Sequence, residues 1–180
     1  MTGRLRPATT AELTAAELEA VRRLLFAAFE GRFDERDWDH TLGGVHVLAI
    51  EGGQMVAHGA VVPRVLTVAD REVATGYVEG VATRADRRGR GLATRVMREV
   101  GRVLERDHEL GALSDGTRIP GFYQRLGWET WQGPTWAAGP RGRERTADDD
   151  GSVLVLRTPA TAGLDPTAPI TCDWRPGDVW

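Results

Sequence analysis

The 180-residue chain contains no lysine: all 23 of its basic residues are arginine. That one absence removes Walker-type phosphate loops, Schiff-base lysines and pyridoxal-phosphate sites, each of which needs the primary amine. Asparagine is missing as well, while Ala, Gly and Arg are abundant, a bias that fits a GC-rich bacterial genome and says nothing of chemistry. The lone Cys172 has no partner for an internal disulfide and lies far in sequence from any activating His, so it reads as an inert, half-buried thiol in a reducing compartment. No apolar run reaches the roughly 18 residues that cross a bilayer, and no apolar stretch follows the basic residues of positions 1–10. The expectation is a cytoplasmic protein without a membrane segment. The arginines are interspersed with 26 acids for a formal charge of -3, so no nucleic-acid footprint is expected and a cationic small molecule is the more natural partner. His40, His46, His58 and His108 lack metal-ligand spacing, so no metal site is expected.

An apolar content of 41% suffices for one well-buried core, and neither a repeat nor a linker divides the chain. A single domain over residues 1–180 is expected. Thr14-Ala15-Ala16-Glu17 has the form of a capping box that opens a helix with its apolar stripe at Leu18, Val21, Leu25, Ala28 and Phe29, closed by Gly31. A short surface helix is expected within Arg32–Thr41. Strands follow at Val45–Ile50 and Met55–Val62, joined by Gly52-Gly53, which tolerate the positive φ of a tight turn. After a turn at Ala69-Asp70 a third strand runs from Glu72 to Thr83, with a bulge at Gly80. Leu92, Val96, Val100, Val103 and Leu104 recur at helical spacing, giving about four turns. The pattern then predicts a strand at Leu110–Leu113, a helix over Arg118–Arg125, a strand after Gly127 and a last strand at Val153–Leu156. The residues from Pro159 to Trp180 lack periodicity but hold two tryptophans, and are expected to pack down, with Trp174 and Trp180 as core plugs. This order defines an α/β (α+β) sheet layered with helices.

The densest chemistry lies where the interrupted strand feeds a helix through Thr83-Arg84-Ala85-Asp86-Arg87-Arg88-Gly89-Arg90-Gly91-Leu92-Ala93. Glycines let backbone amides approach an anion, and the helix that follows adds its unpaired N–H groups and the positive end of its dipole. Such a turn holds a pyrophosphate without lysine; taken alone, it is equally a plain loop-to-helix junction with surface arginines.

Arg88-Gly89-Arg90-Gly91-Leu92-Ala93 resembles the Arg/Gln-x-x-Gly-x-Gly/Ala signature of the GCN5-related N-acetyltransferase (GNAT) superfamily, which likewise follows a bulged strand. The resemblance extends through Asp37–Gly44, Gly76–Ala82, Leu110–Ser114, Asp148–Gly151 and Cys172–Trp180, and over this length the chain is similar to the aminoglycoside 2'-N-acetyltransferases. It implies the GNAT fold: a mixed, mostly antiparallel sheet with helices on both faces and splayed central strands. It also implies acetyl transfer from acetyl-CoA to the 2'-amino group of an aminoglycoside by direct attack in a ternary complex, hence antibiotic resistance, and a homodimer by weak carry-over. A cellular polyamine, a cell-wall amino sugar or non-catalytic drug binding are the alternatives.

By the same resemblance, the coenzyme lies on the backbone of Val81, Ala82 and Thr83 and in the turn Arg88, Gly89, Arg90, Gly91, Leu92 and Ala93. The Val81 amide faces the thioester oxygen, and Tyr123 protonates the departing thiolate. The base that takes the amine proton is Glu79, acting through water, or the α-carboxylate of Trp180, and the sequence does not choose between them. Asp37, Glu79, Gly80, Ser114, Asp148, Asp149, Asp178 and Trp180 fall at aminoglycoside-contacting positions. On their own, Asp148–Asp150 read equally as a solvated turn. One position departs from the family: Arg32 follows Gly31 where an acidic contact is expected, with Asp34 nearby to offset it.

Overall fold

The computed structural model describes residues 3–116 and 119–180. Thr14 accepts a hydrogen bond from the Glu17 amide while the Glu17 carboxylate returns one from Thr14, and this capping box starts helix α1 (Ala15–Phe29). The helix stops where Glu30 and Gly31 turn left-handed, with φ of 52° and 81°. Asp34 caps α2 (Glu35–His40) in the same reciprocal way, with Asp37 as its partner.

Strand β1 (Arg4–Thr9) pairs antiparallel with β2 (Val45–Glu51), which pairs antiparallel with β3 (Gln54–Val68) across the Gly52-Gly53 turn. Strand β4 (Arg71–Thr83) follows the turn at Ala69 and feeds α3 (Leu92–Asp107) through the glycine turn. Next come β5 (Leu110–Ser114), β6 (Glu129–Thr130), β7 (Thr135–Gly139), β8 (Gly142–Arg145), β9 (Val153–Arg157) and β10 (Ile170–Asp173). The strand order is β6-β9-β5-β4-β3-β10-β7-β8, with β2 also on β3 and β1 on β2. Two ladders are parallel: β4 with β5, over Thr75–Tyr77 against Leu110–Ala112, and β7 with β10.

The contacts group the chain into two compact units, and β3 and β4 contribute residues to both. Unit one comprises Met1–Val62 and Val78–Val103. Its core joins Ala8, Leu13, Val21, Leu24, Leu25, Leu48 and Ala82, so the apolar stripe of α1 lies on the sheet. Gly59 allows a close approach, since a Cβ there would stand 3.0 Å from Val96 of α3. Unit two comprises Pro63–Tyr77 and Leu104–Trp180, with Leu110, Leu113, Trp131, Leu154 and Ile170 fully or almost fully buried. In it the buried Arg64 donates from Nε to Asp173 at 2.8 Å and lies over the Tyr77 ring at 4.7 Å.

The structure corrects three expectations. Arg118 lies outside the described residues, and residues 119–126 form turns that end in one short 3-10 helix, Gln124–Leu126, instead of an α-helix. Gly121 is left-handed at φ 67°, which breaks the run of right-handed dihedrals that a helix over these residues requires. β9 is not the last strand, because β7, β8 and β10 were missed: they are short, and the fully exposed β8 carries no apolar alternation. Trp174 is half-exposed at 49% and plugs no core, whereas Trp180 is buried as expected.

Candidate active site

In unit one, β4 contains Gly80 at a left-handed φ of 58°. A Cβ at that position would press on Leu25 and Thr41 at 3.1 Å each, so sterics and backbone conformation both demand glycine. The Gly80 carbonyl accepts from His58 Nδ1 at 2.8 Å, and His58 Nε2 lies 2.9 Å from His46 Nδ1. Both rings are buried, and burial pushes their pKa down, to about 4 for His46 and about 3 for His58. Neither ring was assigned a role from the sequence, where nothing marks them as neighbours.

Past Gly80, Val81, Ala82 and Thr83 complete β4. The Thr83 hydroxyl is buried and has no hydrogen-bond partner. The chain then makes a 3-10 turn over Ala85–Arg87 and passes through Gly89 and Gly91, with φ of 74° and 73°, before Leu92 opens α3. The first turn of α3 holds no acid that would compete with a bound anion. Asp86 binds Arg84 and Arg87, and Glu51 also pairs with Arg87, so these two guanidiniums are held in place. Arg88 reaches back from Nε to the Thr83 carbonyl at 3.3 Å, while Arg90 stays exposed. A cavity of about 520 Å³ in the same unit is bounded by Ala20, Arg23, Ala27, Gln54, Met55 and Arg84. Asp37 is half-buried and its carboxylate accepts from the Asp34 amide, which ties it to the start of α2; Arg32 is exposed.

In unit two the structure brings Asp148, Asp149, Asp178 and Trp180 together. The indole of Trp180 donates to the Thr146 hydroxyl at 2.9 Å, and the Trp180 amide donates to Asp178 at 3.2 Å. Arg175 spans the same segment, donating to the main-chain oxygens of Asp178 at 2.7 Å and Trp180 at 3.1 Å. Burial first, and then the negative charge of Asp178, raise the Asp149 carboxyl above its ordinary pKa. Asp150 behaves in the opposite way: it pairs with Arg145 and accepts from the amide and hydroxyl of Thr135, so its pKa is strongly lowered. Of three adjacent aspartates, one is thus a structural latch. Thr146, Arg175 and the Arg145–Asp150 pair escaped the sequence reading, because their partners are distant or depend on side-chain direction.

Tyr123 is buried beside Phe122 and Trp128, with ring centroids at 5.0 and 6.1 Å. Burial, followed by the charge of Asp115, raises the pKa of its phenol strongly, so the hydroxyl stays protonated. Ser114 ends β5 and is half-buried. Glu79 and Gly80 are half-buried on β4. Cys172 is fully rather than half buried, and burial raises its thiol to about 11, which keeps it inert. Among the described residues no cluster of His, Cys, Asp or Glu forms a metal site, and no helix is long and apolar enough to cross a membrane.

A strand with a left-handed glycine, leading through a glycine turn into a helix, fits the arrangement expected of acetyl transfer, and sequence comparison agrees. The family described as Acetyltransferase (GNAT) domain matches residues 9–131, and the chain belongs to it. An aminoglycoside 2'-N-acetyltransferase of Mycolicibacterium fortuitum is 48% identical over 173 residues, covering 95% of this chain and 89% of that protein. Among solved structures, the GNAT-family N-acetyltransferase YhbS of Escherichia coli, in complex with CoA, superposes with a TM-score of 0.67 at 17% identity, over 96% of this chain and 90% of that one. A probable N-acyltransferase of Enterococcus faecalis gives a TM-score of 0.60 at 17% identity over 73% of this chain; this chain spans only 33% of that protein. The protein is an acetyltransferase with the GNAT fold.

Proposed function

We propose that the chain works as one N-acetyltransferase domain that moves acetyl from acetyl-CoA to the 2'-amino group of aminoglycosides by direct attack in a ternary complex. The observation that carries this reading is the 48% identity, over 95% of the chain, to a protein of that name. Two features support it: Gly89 and Gly91 keep the turn left-handed, and Asp149 lies within the field of Asp178, which accepts from the Trp180 amide, an acidic grouping that suits a polycationic sugar.

The unit-one residues fit the donor. Left-handed Gly89 and Gly91 free their amides to face a pyrophosphate, with Arg88, Arg90, Leu92 and Ala93 completing the turn at the N-terminus of α3. The ladder of β4 with β5 ends at Tyr77, before the backbone of Val81, Ala82 and Thr83, and the unpartnered Thr83 hydroxyl offers a polar contact there. Acetyl-CoA, when bound, supplies the thioester carbonyl. The Val81 amide donates to its oxygen as negative charge develops, and losing such a donor typically costs about 2.7–4 kcal/mol.

An ammonium has no lone pair, so the 2'-amine must lose a proton before it attacks. Glu79, acting through water, is the favoured base. The alternative at Trp180 is weaker, because its main-chain oxygen already accepts from the Arg175 guanidinium, and a neighbouring cation lowers the basicity of a carboxylate. As the C–N bond forms and the C–S bond breaks, Tyr123 donates to the sulfur. Asp37, Glu79, Gly80, Ser114, Asp148, Asp149, Asp178 and Trp180 are assigned to the sugar, and Arg32 shifts the preferred drug by repelling an ammonium. The reading extends to a cytoplasmic homodimer that confers resistance. It is tested by incubating the purified protein with acetyl-CoA and kanamycin B, tobramycin or gentamicin. A mass gain of one acetyl, located at the 2'-nitrogen by NMR, is expected, and three unmodified drugs would overturn it.

A further inference from the structure

A line of hydrogen bonds in unit one leads to Gly80, and its side chains, His58, His46 and Thr10, take no part in the chemistry above. The Gly80 carbonyl can only accept, so His58 Nδ1, 2.8 Å away, carries the proton. Nε2 of that neutral ring is then an acceptor, and His46 Nδ1 donates to it at 2.9 Å. His46 Nε2 in turn accepts from the Thr10 hydroxyl at 2.9 Å, and the Thr10 oxygen is fixed by the Gly43 amide, also at 2.9 Å. One carbonyl therefore dictates both tautomers. Burial lowers both imidazole pKa values, to about 4 and about 3, so near neutral pH His58 Nε2 stays an acceptor for His46.

The Gly80 carbonyl and the Val81 N–H belong to the same peptide group. That group is planar and trans, so its N–H points opposite to its C=O. The left-handed φ of Gly80 departs from strand geometry, and without a Cβ the residue does little to restrict rotation of the plane. What holds the carbonyl aims the amide.

We propose that His58, kept in its tautomer by His46 and Thr10, is a positioning residue for acetyl transfer: it grips the Gly80 carbonyl and so orients the Val81 N–H toward the thioester oxygen. This rests on the reading of Val81 as the oxyanion donor.

The test compares His58→Phe, which keeps ring volume without a donor, with His58→Asn, whose amide nitrogen takes the place of Nδ1. Acetylation of tobramycin and amine-free hydrolysis of acetyl-CoA are both measured, since the two reactions need the same oxyanion donor but only the first needs the acceptor. His58→Phe is expected to lose about 10²-fold in kcat in both reactions, the low end of a lost oxyanion donor, with KM for acetyl-CoA changed by less than about twofold. His58→Asn should recover most of that loss. A folded His58→Phe with wild-type kcat overturns the proposal. If His58→Phe does not fold, ¹⁵N NMR of the wild-type imidazoles and the kcat of His58→Asn decide. An Nε2–H tautomer at His58, or an Asn variant as poor as an alanine one, overturns it equally. A wild-type protein that acetylates no aminoglycoside counts against the function proposed above, whereas an active wild type with an unaffected His58→Phe counts against this inference alone.

Discussion

Replacing both Gly89 and Gly91 by valine isolates the role of the turn before α3. A Cβ at either position meets no atom within 4 Å, so the substitutions disturb no packing. Their effect is conformational: both residues have φ near the left-handed minimum, 74° and 73°, where an L-residue costs about 1–2 kcal/mol. Two such sites cost roughly 2–4 kcal/mol if the native turn is kept, less than the roughly 5–15 kcal/mol that stabilises a typical domain. The exposed turn can instead relax to negative φ, which protects the fold but swings the amides away from the pyrophosphate. Either response damages the cradle. Two lost charge-assisted hydrogen bonds at about 1.5–3 kcal/mol each weaken coenzyme A binding by roughly 10²- to 10⁴-fold. Titration calorimetry with CoA reads the affinity and differential scanning calorimetry the stability. Gly163→Val, also in open space but not at positive φ, serves as the control. A double variant that binds CoA as tightly as the wild type while its Tm falls would show that the turn is a plain junction. Complete unfolding would refute the claim that its glycines serve the ligand and not the core.

Asp149→Asn tests the acidic cluster through the direction of its pKa shift. The folded carboxyl binds its proton more tightly than the unfolded one, so its contribution to stability falls as pH rises from the ordinary carboxylate value through the raised one. At pH 7 the amide variant should melt no lower than the wild type, yet its KM for tobramycin should rise about 10- to 100-fold, the worth of one shielded charge-assisted contact. An unchanged KM with a lower Tm would make Asp149 a structural residue. Tyr123→Phe removes the proposed donor to the departing sulfur and should lower kcat by about 10²-fold at saturating drug. Because the phenol stays protonated, the wild-type pH profile should show no alkaline limb from its ionisation, and a kcat equal to wild type would remove Tyr123 from the chemistry.

The features legible in the sequence are those that depend on near neighbours. The Thr14–Glu17 capping box, the Gly52-Gly53 turn, the left-handed glycine at position 80 and the glycine turn before α3 each satisfy a local backbone demand within a few residues, and each appears in the structure. Strands β7 and β8 form a local hairpin but are short, and β8 is exposed along its length with no apolar alternation, while β10 was not legible because its ladder with β7 closes over a long separation. Ile170–Asp173 runs parallel to Thr135–Ala138, a pairing that no local periodicity announces. The expected helix after Ser114 failed because the left-handed turn at Gly121 outweighed the apolar spacing around it.

By itself the sequence determined the glycine turn before α3, since it is built from consecutive residues whose φ angles only glycine adopts freely. The tertiary structure alone decided how the acids divide. Asp148, Asp149 and Asp150 are identical in chemistry, yet Arg145 and Thr135 lock the third while burial and Asp178 load the second. It also joined His46 to His58 across β2 and β3 and aimed the pair at the Gly80 carbonyl. The pKa and orientation of a side chain are set by whatever charges and donors lie within a few ångströms, and those neighbours are brought close only when the chain folds.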